Sequence, residues 1–253
     1  MTGNPFSLAG QRALVTGANT GIGQGIALAL AQAGAEVIAA GRSAMDETLG
    51  LIHAAGGRAT AIKADLADKG GAAGLIEAVV TRLGPLDILI NNAGIIRRSD
   101  ALEFSEADWD AVMDVNLKAA FFLSQGFARH VLAEDRRGKI VNIASLLSFQ
   151  GGIRVASYTA SKSGLAGITR LLACEWAAKG INVNAIAPGY VVSNNTQALR
   201  DDPDRASAIL ARIPAGRWGQ ASDIGGAAVF LASLAADYLH GVVLPVDGGW
   251  LAR

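Results

Sequence analysis

The chain has 253 residues, 51% of them hydrophobic, and its 22 Lys and Arg residues balance 22 Asp and Glu residues. This composition is typical of one globular domain with a large core and excludes a chain that is mainly disordered. A net charge of zero offers no basic surface for nucleic acid, and the longest apolar run, residues 224–236, is too short to span a membrane. We therefore expect no nucleic-acid partner and no membrane partner. The single cysteine, Cys174, and an N-terminus unlike a signal peptide predict a cytoplasmic protein.

Short segments rich in Val, Ile and Leu alternate along the chain with longer Ala-rich segments of helical periodicity. This alternation predicts an α/β fold in which helices flank a doubly wound parallel sheet. The seven predicted strands are residues 12–16, 36–41, 59–64, 87–91, 139–144, 182–187 and 242–246.

The clearest predicted helices are residues 21–33 and 158–178, with others between 105 and 134 and between 222 and 235. In the helix 158–178, apolar residues recur every three or four positions, and Cys174 is expected to pack in the core among them. No linker or repeat interrupts the chain, which predicts a single domain over residues 1–253. Residues 188–217 form the least regular stretch and are a candidate for a mobile lid over a site.

Three glycines, Gly17, Gly21 and Gly23, lie where the first predicted strand meets the first helix. Glycines at such a join allow a tight turn and let a pyrophosphate approach the N–H groups at the helix N-terminus. The spacing differs from the common Gly-x-Gly-x-x-Gly, and glycines here also serve close packing of the helix on the strand. The turn alone therefore indicates either a dinucleotide site or a packing device.

Two further strand ends favour the dinucleotide. Asp65 and Leu66 follow the third strand, and Asn91, Asn92, Ala93 and Gly94 end the fourth. An Asp in such a place also forms turns and helix caps. However, the carboxyl ends of parallel strands share one edge of the sheet, which is where open α/β sheets bind ligands.

Tyr158 and Lys162 are four residues apart, so that a helix places them on one face. An ammonium group and the positive ring of an oxidised nicotinamide would favour phenolate and lower the pKa of Tyr158, which makes a general acid/base near neutral pH. Ser145 ends the fifth strand and can hold the substrate oxygen, while Asn116 can hold a water on a proton path to Lys162. A Tyr-x-x-x-Lys pair by itself also occurs on ordinary solvated helices.

These motifs, in this order and followed by Pro188 and Gly189, resemble the short-chain dehydrogenase/reductase family over nearly the whole chain. The resemblance implies a Rossmann-type fold, a homotetramer and an NAD(P) cofactor bound mainly by residues 1–145, with catalysis and substrate binding mainly in residues 146–253. It also implies a catalytic tetrad of Asn116, Ser145, Tyr158 and Lys162. Motifs and resemblance together predict cofactor contacts from Gly17, Asn19, Gly21, Ile22, Gly23, Arg42, Asp65, Leu66, Asn92, Ala93, Gly94, Tyr158, Lys162, Pro188, Gly189, Val191 and Ser193.

The second strand is followed by Arg42 instead of the carboxylate that would hold the adenine ribose of NAD. A guanidinium at this position can bind the extra phosphate of NADP, although it can also stack on adenine and permit either cofactor. The branch of the family that the chain resembles most is generally linked to NAD. The sequence therefore leaves NAD and NADP as alternatives.

Residues 95–98, 147–154, 212–219 and 247–253 resemble the members of this family that oxidise deoxy sugar acids. This resemblance implies hydride transfer between nicotinamide and a secondary hydroxyl or ketone of such an acid. Arg98 and Arg154 are candidates for binding its carboxylate, unless either pairs with an Asp on the surface. The predicted substrate residues are Arg98, Ser145, Gln150, Arg154, Tyr158 and Asn194.

Two other functions fit the same motifs. A 3-oxoacyl-carrier-protein reductase would need a basic entrance for its acidic carrier, for which Arg129, Arg136 and Arg137 are the candidates. A protein that senses dinucleotides without turnover would have no need of Tyr158 and Lys162 together. The three histidines are scattered and predict no metal site. Trp250 and Arg253, near the C-terminus, are expected to contact a neighbouring subunit.

Overall fold

The computed structural model describes residues 3–68 and 70–253 and contains one sheet of seven parallel strands. The strand order is β3-β2-β1-β4-β5-β6-β7. Strands β1 to β3 are therefore added towards one edge of the sheet and strands β4 to β7 towards the other, with the change between β1 and β4. The predicted doubly wound, single-domain α/β fold is confirmed, and each strand end lies within one residue of its predicted position. The strands are β1 Arg12–Thr16, β2 Glu36–Gly41, β3 Arg58–Lys63, β4 Ile88–Asn91, β5 Gly138–Ile143, β6 Ile181–Pro188 and β7 Val243–Val246.

Helices cover both faces of the sheet. One core cluster joins the sheet to α1, α2 and α9, and the other joins it to α3, α5 and α6. Leu14 and Val15 in β1 are both fully buried, the first in the second cluster and the second in the first, which explains the unbroken apolar character of the strands. The helices are α1 Gly21–Gln32, α2 Asp46–Ala54, α3 Gly71–Leu83, α4 Glu106–Met113, α5 Ala119–Ala133, α6 Ala156–Trp176, α7 Gln197–Arg200, α8 Pro203–Arg212 and α9 Ala221–Ala232. Within the described ranges, no helix combines the length and the apolarity needed to cross a membrane.

Residues 188–217, predicted to be the least regular stretch, hold more helix than that prediction suggests. A short 3-10 helix, Asn194–Thr196, leads into α7 and α8. The side chain of Asp202 caps α8 by accepting a hydrogen bond from the Arg205 N–H at 3.1 Å, and Pro203 occupies the first turn. Asp202 and Pro203 are therefore helix-start residues.

Two packing predictions are wrong. Cys174 is exposed, because the buried side of α6 is formed by Leu172, Ala173 and Trp176, and Cys174 points away from it. Trp250 does not reach out to a neighbour. Its side chain is 4% exposed and packs inside its own chain in a cluster with Leu146, Ile209 and Ile213.

Candidate active site

A cavity of about 880 Å³ lies along the carboxyl edge of the sheet, over the point where the chain reverses between β1 and β4. Its wall includes every residue predicted to contact the cofactor, from the glycine turn and Arg42 to Ser193. Three members of the predicted tetrad, Ser145, Tyr158 and Lys162, line the same cavity. The motifs that the sequence separates by more than a hundred residues therefore face one space.

The glycine turn packs against the loop that follows β4. The hydroxyl oxygen of Thr16 accepts hydrogen bonds from the N–H groups of Asn92 and Ala93, both at 3.1 Å. A Cβ on Gly17 would lie 2.9 Å from the Ala93 Cα, and one on Gly23 would lie 2.1 Å from the Gly17 oxygen. All three glycines line the cavity, and Gly17 and Gly21 have left-handed backbones with φ +64° and φ +57°. Gly17 and Gly23 line the cavity and also leave no room for a side chain, so both interpretations of the turn apply.

The start of α6 and the end of β5 bring together the reactive side chains. Tyr158 and Lys162 lie one turn apart at the start of α6, with Lys162 Nζ 5.6 Å from the centre of the Tyr158 ring. The Lys162 ammonium donates a hydrogen bond to the Ile143 carbonyl at 2.6 Å. Ser145, just beyond β5, accepts a hydrogen bond from the Leu147 N–H at 3.2 Å and lies close enough to Tyr158 to act on its phenol. A hydroxyl pair and an ammonium thus converge on one end of the cavity.

Burial has the largest effect on the pKa values of Tyr158 and Lys162. It raises the pKa of Tyr158, against smaller lowering effects of the Ser145 hydroxyl and the Arg98 guanidinium. Burial also lowers the pKa of Lys162 to about 8. The sequence prediction of a lowered pKa for Tyr158 included the charge of an oxidised nicotinamide, and without that charge burial outweighs the lowering effects. The protein alone keeps Tyr158 protonated, and lowering that pKa requires a further positive charge, such as that of an oxidised nicotinamide.

Asn116 lies behind the cavity wall, in a π-helical segment, Asp114–Lys118, between α4 and α5. Its Oδ1 accepts from the Ile95 N–H at 2.8 Å, and its Nδ2 donates to the Ile95 carbonyl at 2.9 Å and to Ser161 Oγ at 3.3 Å. The side chain is 1% exposed. It therefore connects the loop after β4 to α6, and π-helical turns such as this one recur at functional sites.

The predicted substrate residues divide into two groups. Arg98, Gln150 and Asn194 line the cavity with Ser145 and Tyr158, and Gln150 accepts a hydrogen bond from Trp250 Nε1 at 3.2 Å. Arg154 does not line it and instead lies with its Nε 3.4 Å from Asp100 Oδ1 on the surface. This is the surface pairing that the sequence left open.

Two cavity residues, Tyr190 and Arg205, were not singled out from the sequence. Tyr190 directly follows Pro188 and Gly189, which were predicted to contact the cofactor, so its place in the sequence could have indicated that it lines the cavity. Arg205 lies in the first turn of α8, in the segment that was predicted to be irregular, so no periodicity indicated which way it points.

At the opposite end of the cavity, Arg42 and Asp65 face each other after β2 and β3. Arg42 Nη1 lies 4.0 Å from Asp65 Oδ2, and the Arg42 side chain is 65% exposed. Asn19 donates a hydrogen bond to the hydroxyl of Ser43 at 2.9 Å. An arginine, a serine and an asparagine at this place can hold a phosphate group as well as a ribose.

Comparison with known proteins gives consistent results. A family model described as enoyl-(acyl carrier protein) reductase matches residues 17–251. The 2-dehydro-3-deoxy-D-gluconate 5-dehydrogenase of Dickeya dadantii is 57% identical over 250 residues, 99% of each chain, and that of Escherichia coli is 58% identical over 248 residues, 98% of each. Among solved structures, a candidate 2-deoxy-D-gluconate 3-dehydrogenase of Agrobacterium tumefaciens with bound NADP is 66% identical, with a TM-score of 0.95 over 99% of this chain and 100% of that one. A gluconate 5-dehydrogenase of Burkholderia cenocepacia, in complex with NADP and tartrate, is 39% identical, with a TM-score of 0.92 over 98% of both chains.

Proposed function

Because this chain belongs to the short-chain dehydrogenase/reductase family and is an NAD(P)-dependent oxidoreductase that acts on CH–OH groups, we propose that it interconverts a secondary hydroxyl and a ketone on a deoxy sugar acid. The compounds named for its relatives, 2-dehydro-3-deoxy-D-gluconate and 2-deoxy-D-gluconate, are the first candidates. The observation that carries the proposal is one cavity in which Ser145, Tyr158 and Lys162 lie with the guanidinium of Arg98, which forms no ion pair among the described residues. Such a site suits a substrate with a hydroxyl at one position and a carboxylate at another.

The roles of the side chains follow from their placement. An NAD(P) cofactor bound in this cavity would supply or accept the hydride. In oxidation, Tyr158 takes the proton of the substrate hydroxyl as the hydride leaves the same carbon, and in reduction it returns a proton to the new alkoxide oxygen. Ser145 donates a hydrogen bond to that oxygen and holds it against Tyr158. Lys162, buried next to the phenol, holds the nicotinamide ribose and connects Tyr158 to a proton path braced by Asn116.

We infer that NADP is the preferred cofactor. Arg42 follows β2 where an NAD enzyme would carry a carboxylate, and its largely exposed guanidinium leaves donors free for a phosphate. Asp65 is the nearest carboxylate, at 4.0 Å, and is well placed to orient Arg42. The A. tumefaciens and B. cenocepacia relatives were both solved with NADP.

The test is turnover followed at the absorbance band of reduced nicotinamide. Purified protein is offered 2-dehydro-3-deoxy-D-gluconate, 2-deoxy-D-gluconate and D-gluconate, each with NAD and with NADP. We expect at least one acid to react with kcat/KM above about 10⁴ M⁻¹s⁻¹, in the ordinary range of enzymes, and NADP to be favoured. Tyr158→Phe should lower kcat by a factor of about 10³ or more and leave cofactor binding intact. Substantial activity in that variant would remove Tyr158 from its role, and failure of all three acids would refute the sugar-acid substrate.

The carrier-protein alternative has little support from the surface charges. Arg136 is paired with Asp87, and Arg137 lies 3.2 Å from Asp237. Each of these two candidate arginines thus already faces a carboxylate of the chain itself, which Arg137 shares with Lys139, and this weakens their attraction for an acidic carrier.

We also propose a homotetramer in the cytoplasm. Phe122 and Leu132 of α5 and Leu171 of α6 are 39%, 41% and 50% exposed. An apolar surface of this kind is typical of a face that a second copy covers. The cytoplasmic location rests on the single cysteine, which cannot form a disulfide within the chain.

A further inference from the structure

The charged residues around the catalytic end of the cavity are positive. Arg97, Arg98, Lys162 and Arg205 line this end, whereas Asp65, the one carboxylate among the described lining residues, lies at the far end beside Arg42. A cavity that collects guanidinium and ammonium groups without carboxylates is suited to an anion.

Two of these four cations already have partners. Arg97 Nε lies 3.0 Å from Asp108 Oδ1, and Lys162 donates to the Ile143 carbonyl. Arg98 and Arg205, by contrast, form no ion pair with any Asp or Glu in the described part of the chain. These two guanidinium groups therefore retain donors for a ligand.

Arg98 and Arg205 act on each other and on the catalytic end of the cavity. The charge of Arg205 contributes to lowering the pKa of Arg98, after burial, and the charge of Arg98 in turn favours the phenolate of Tyr158. Arg98, Arg205 and Tyr158 also line the same cavity. A carboxylate bound between the two guanidinium groups would neutralise their repulsion and leave the rest of the sugar chain directed towards Tyr158.

The two arginines come from separate segments that the fold holds in position. Arg98 belongs to the loop after β4, and its Nη2 donates a hydrogen bond to the Asn195 carbonyl at 2.8 Å. Asn195 lies in the 3-10 helix that leads through α7 to α8, where Arg205 occupies the first turn. The Arg205 N–H is itself fixed by the side chain of Asp202.

We propose that Arg205 and Arg98 together bind the carboxylate of the substrate, so that α8 supplies one half of the acid-recognition site and the loop after β4 supplies the other. This proposal rests on the sugar-acid function proposed above and makes it more specific. Arg205 sets the specificity for acids over neutral polyols, and Arg154, paired with Asp100 outside the cavity, has no part in it.

The test compares an acid with its neutral analogue. Binding of D-gluconate and of D-gluconamide to the protein saturated with NADPH is measured by isothermal titration calorimetry, for wild type, Arg205→Gln, Arg205→Lys and Arg82→Gln. Arg82 is exposed on α3, far from the cavity lining, and its replacement makes the same change in net charge. We expect Arg205→Gln to raise the Kd of D-gluconate at least tenfold and that of D-gluconamide less than twofold, since a charged hydrogen bond is lost only for the acid. Arg205→Lys should lose less affinity for D-gluconate, because it keeps the positive charge. Arg82→Gln should bind both ligands as wild type does.

Three results would overturn the proposal: equal losses for both ligands in Arg205→Gln, no loss for D-gluconate, or a wild type that binds the amide as tightly as the acid. Circular dichroism verifies the fold of each variant, and if Arg205→Gln does not fold, the acid-to-amide ratio in Arg205→Lys decides. Selective, Arg205-dependent binding of D-gluconate by a wild type that turns over no sugar acid would refute the proposed function and keep this inference.

Discussion

Lys162 carries an ammonium group into the protein interior, where its side chain is 4% exposed and donates to the Ile143 carbonyl. Burial lowers its pKa from 10.5 to about 8. Below pH 8 the folded state bears the full cost of the buried charge; between pH 8 and 10.5 the unfolded chain binds more protons than the folded one, so stability from this group rises with pH. We therefore expect Lys162→Met to be more stable than wild type at pH 7, by roughly 2 kcal/mol, while losing turnover.

The measurement is urea unfolding of both proteins at pH 7 and pH 9.5. The difference between their free energies of unfolding should be smaller at pH 9.5, because wild-type Lys162 has lost its proton there. Because the comparison is made between variants, other titrating groups cancel. A Lys162→Met protein that is less stable at pH 7 would mean that the hydrogen bond to Ile143 outweighs desolvation, contrary to this account.

Helical spacing in the sequence locates some residues of the site and misses others. Tyr158 and Lys162 could be placed together because both lie in α6, where the spacing of four residues holds. Arg154, a predicted substrate residue, also precedes Tyr158 by four positions, but α6 begins at Ala156 and Arg154 has φ +62°, so helical spacing does not apply to it. Arg205 was missed for the converse reason, since its helix start resembled a loop. Local periodicity predicts a neighbour only after the element boundary is known.

At the scale of elements, α1 carries the glycine turn and packs on α9 through small residues. A Cβ on Gly225 of α9 would lie 2.6 Å from the Ala29 Cβ, whereas one on Gly226 would meet nothing within 4 Å. We expect Gly225→Ala to push the two helices apart and lower the free energy of unfolding by about 1–3 kcal/mol. Gly226→Ala, the control in the next position, should raise it by about 0.5–1 kcal/mol, because alanine is the better helix former.

Chemical denaturation of the three proteins measures the difference, and NADP titration of the same samples measures its effect on the site. Since α1 begins at the cofactor turn, Gly225→Ala should also weaken NADP binding, whereas Gly226→Ala should not. Equal changes in stability for the two variants would show that helix propensity, and not the contact between α1 and α9, governs this position.

At the same scale, the strands and the main helices followed from apolar periodicity, because a strand buried on both faces has an unbroken apolar sequence. The π-helical segment Asp114–Lys118 could not be predicted, since its residues fit an ordinary helix and the change lies in its backbone hydrogen bonding. Trp250 was likewise misplaced, because an aromatic side chain near a chain end looks the same in sequence whether it packs inward or on a partner. Such features depend on tertiary contacts that no local pattern records.

For the whole molecule, the proposed assembly makes α5 and α6 a buried face. Leu171, half exposed, lies beside Phe121, Arg129 and Glu175 around a shallow depression between these helices. A carboxylate introduced there would lie next to Glu175 as well as Arg129 and would lose its hydration at an interface between copies, which costs several kcal/mol. We therefore expect wild type to elute as a tetramer and Leu171→Glu as a smaller species, measured by size-exclusion chromatography with light scattering at micromolar concentration. Thr81→Glu, on the exposed side of α3, adds the same charge away from this face and should leave the tetramer intact. A monomeric wild type, or a Leu171→Glu variant that stays tetrameric, would contradict the proposal that this apolar surface lies between copies of the chain. If the variant does dissociate, its turnover shows whether the active site is complete within one chain.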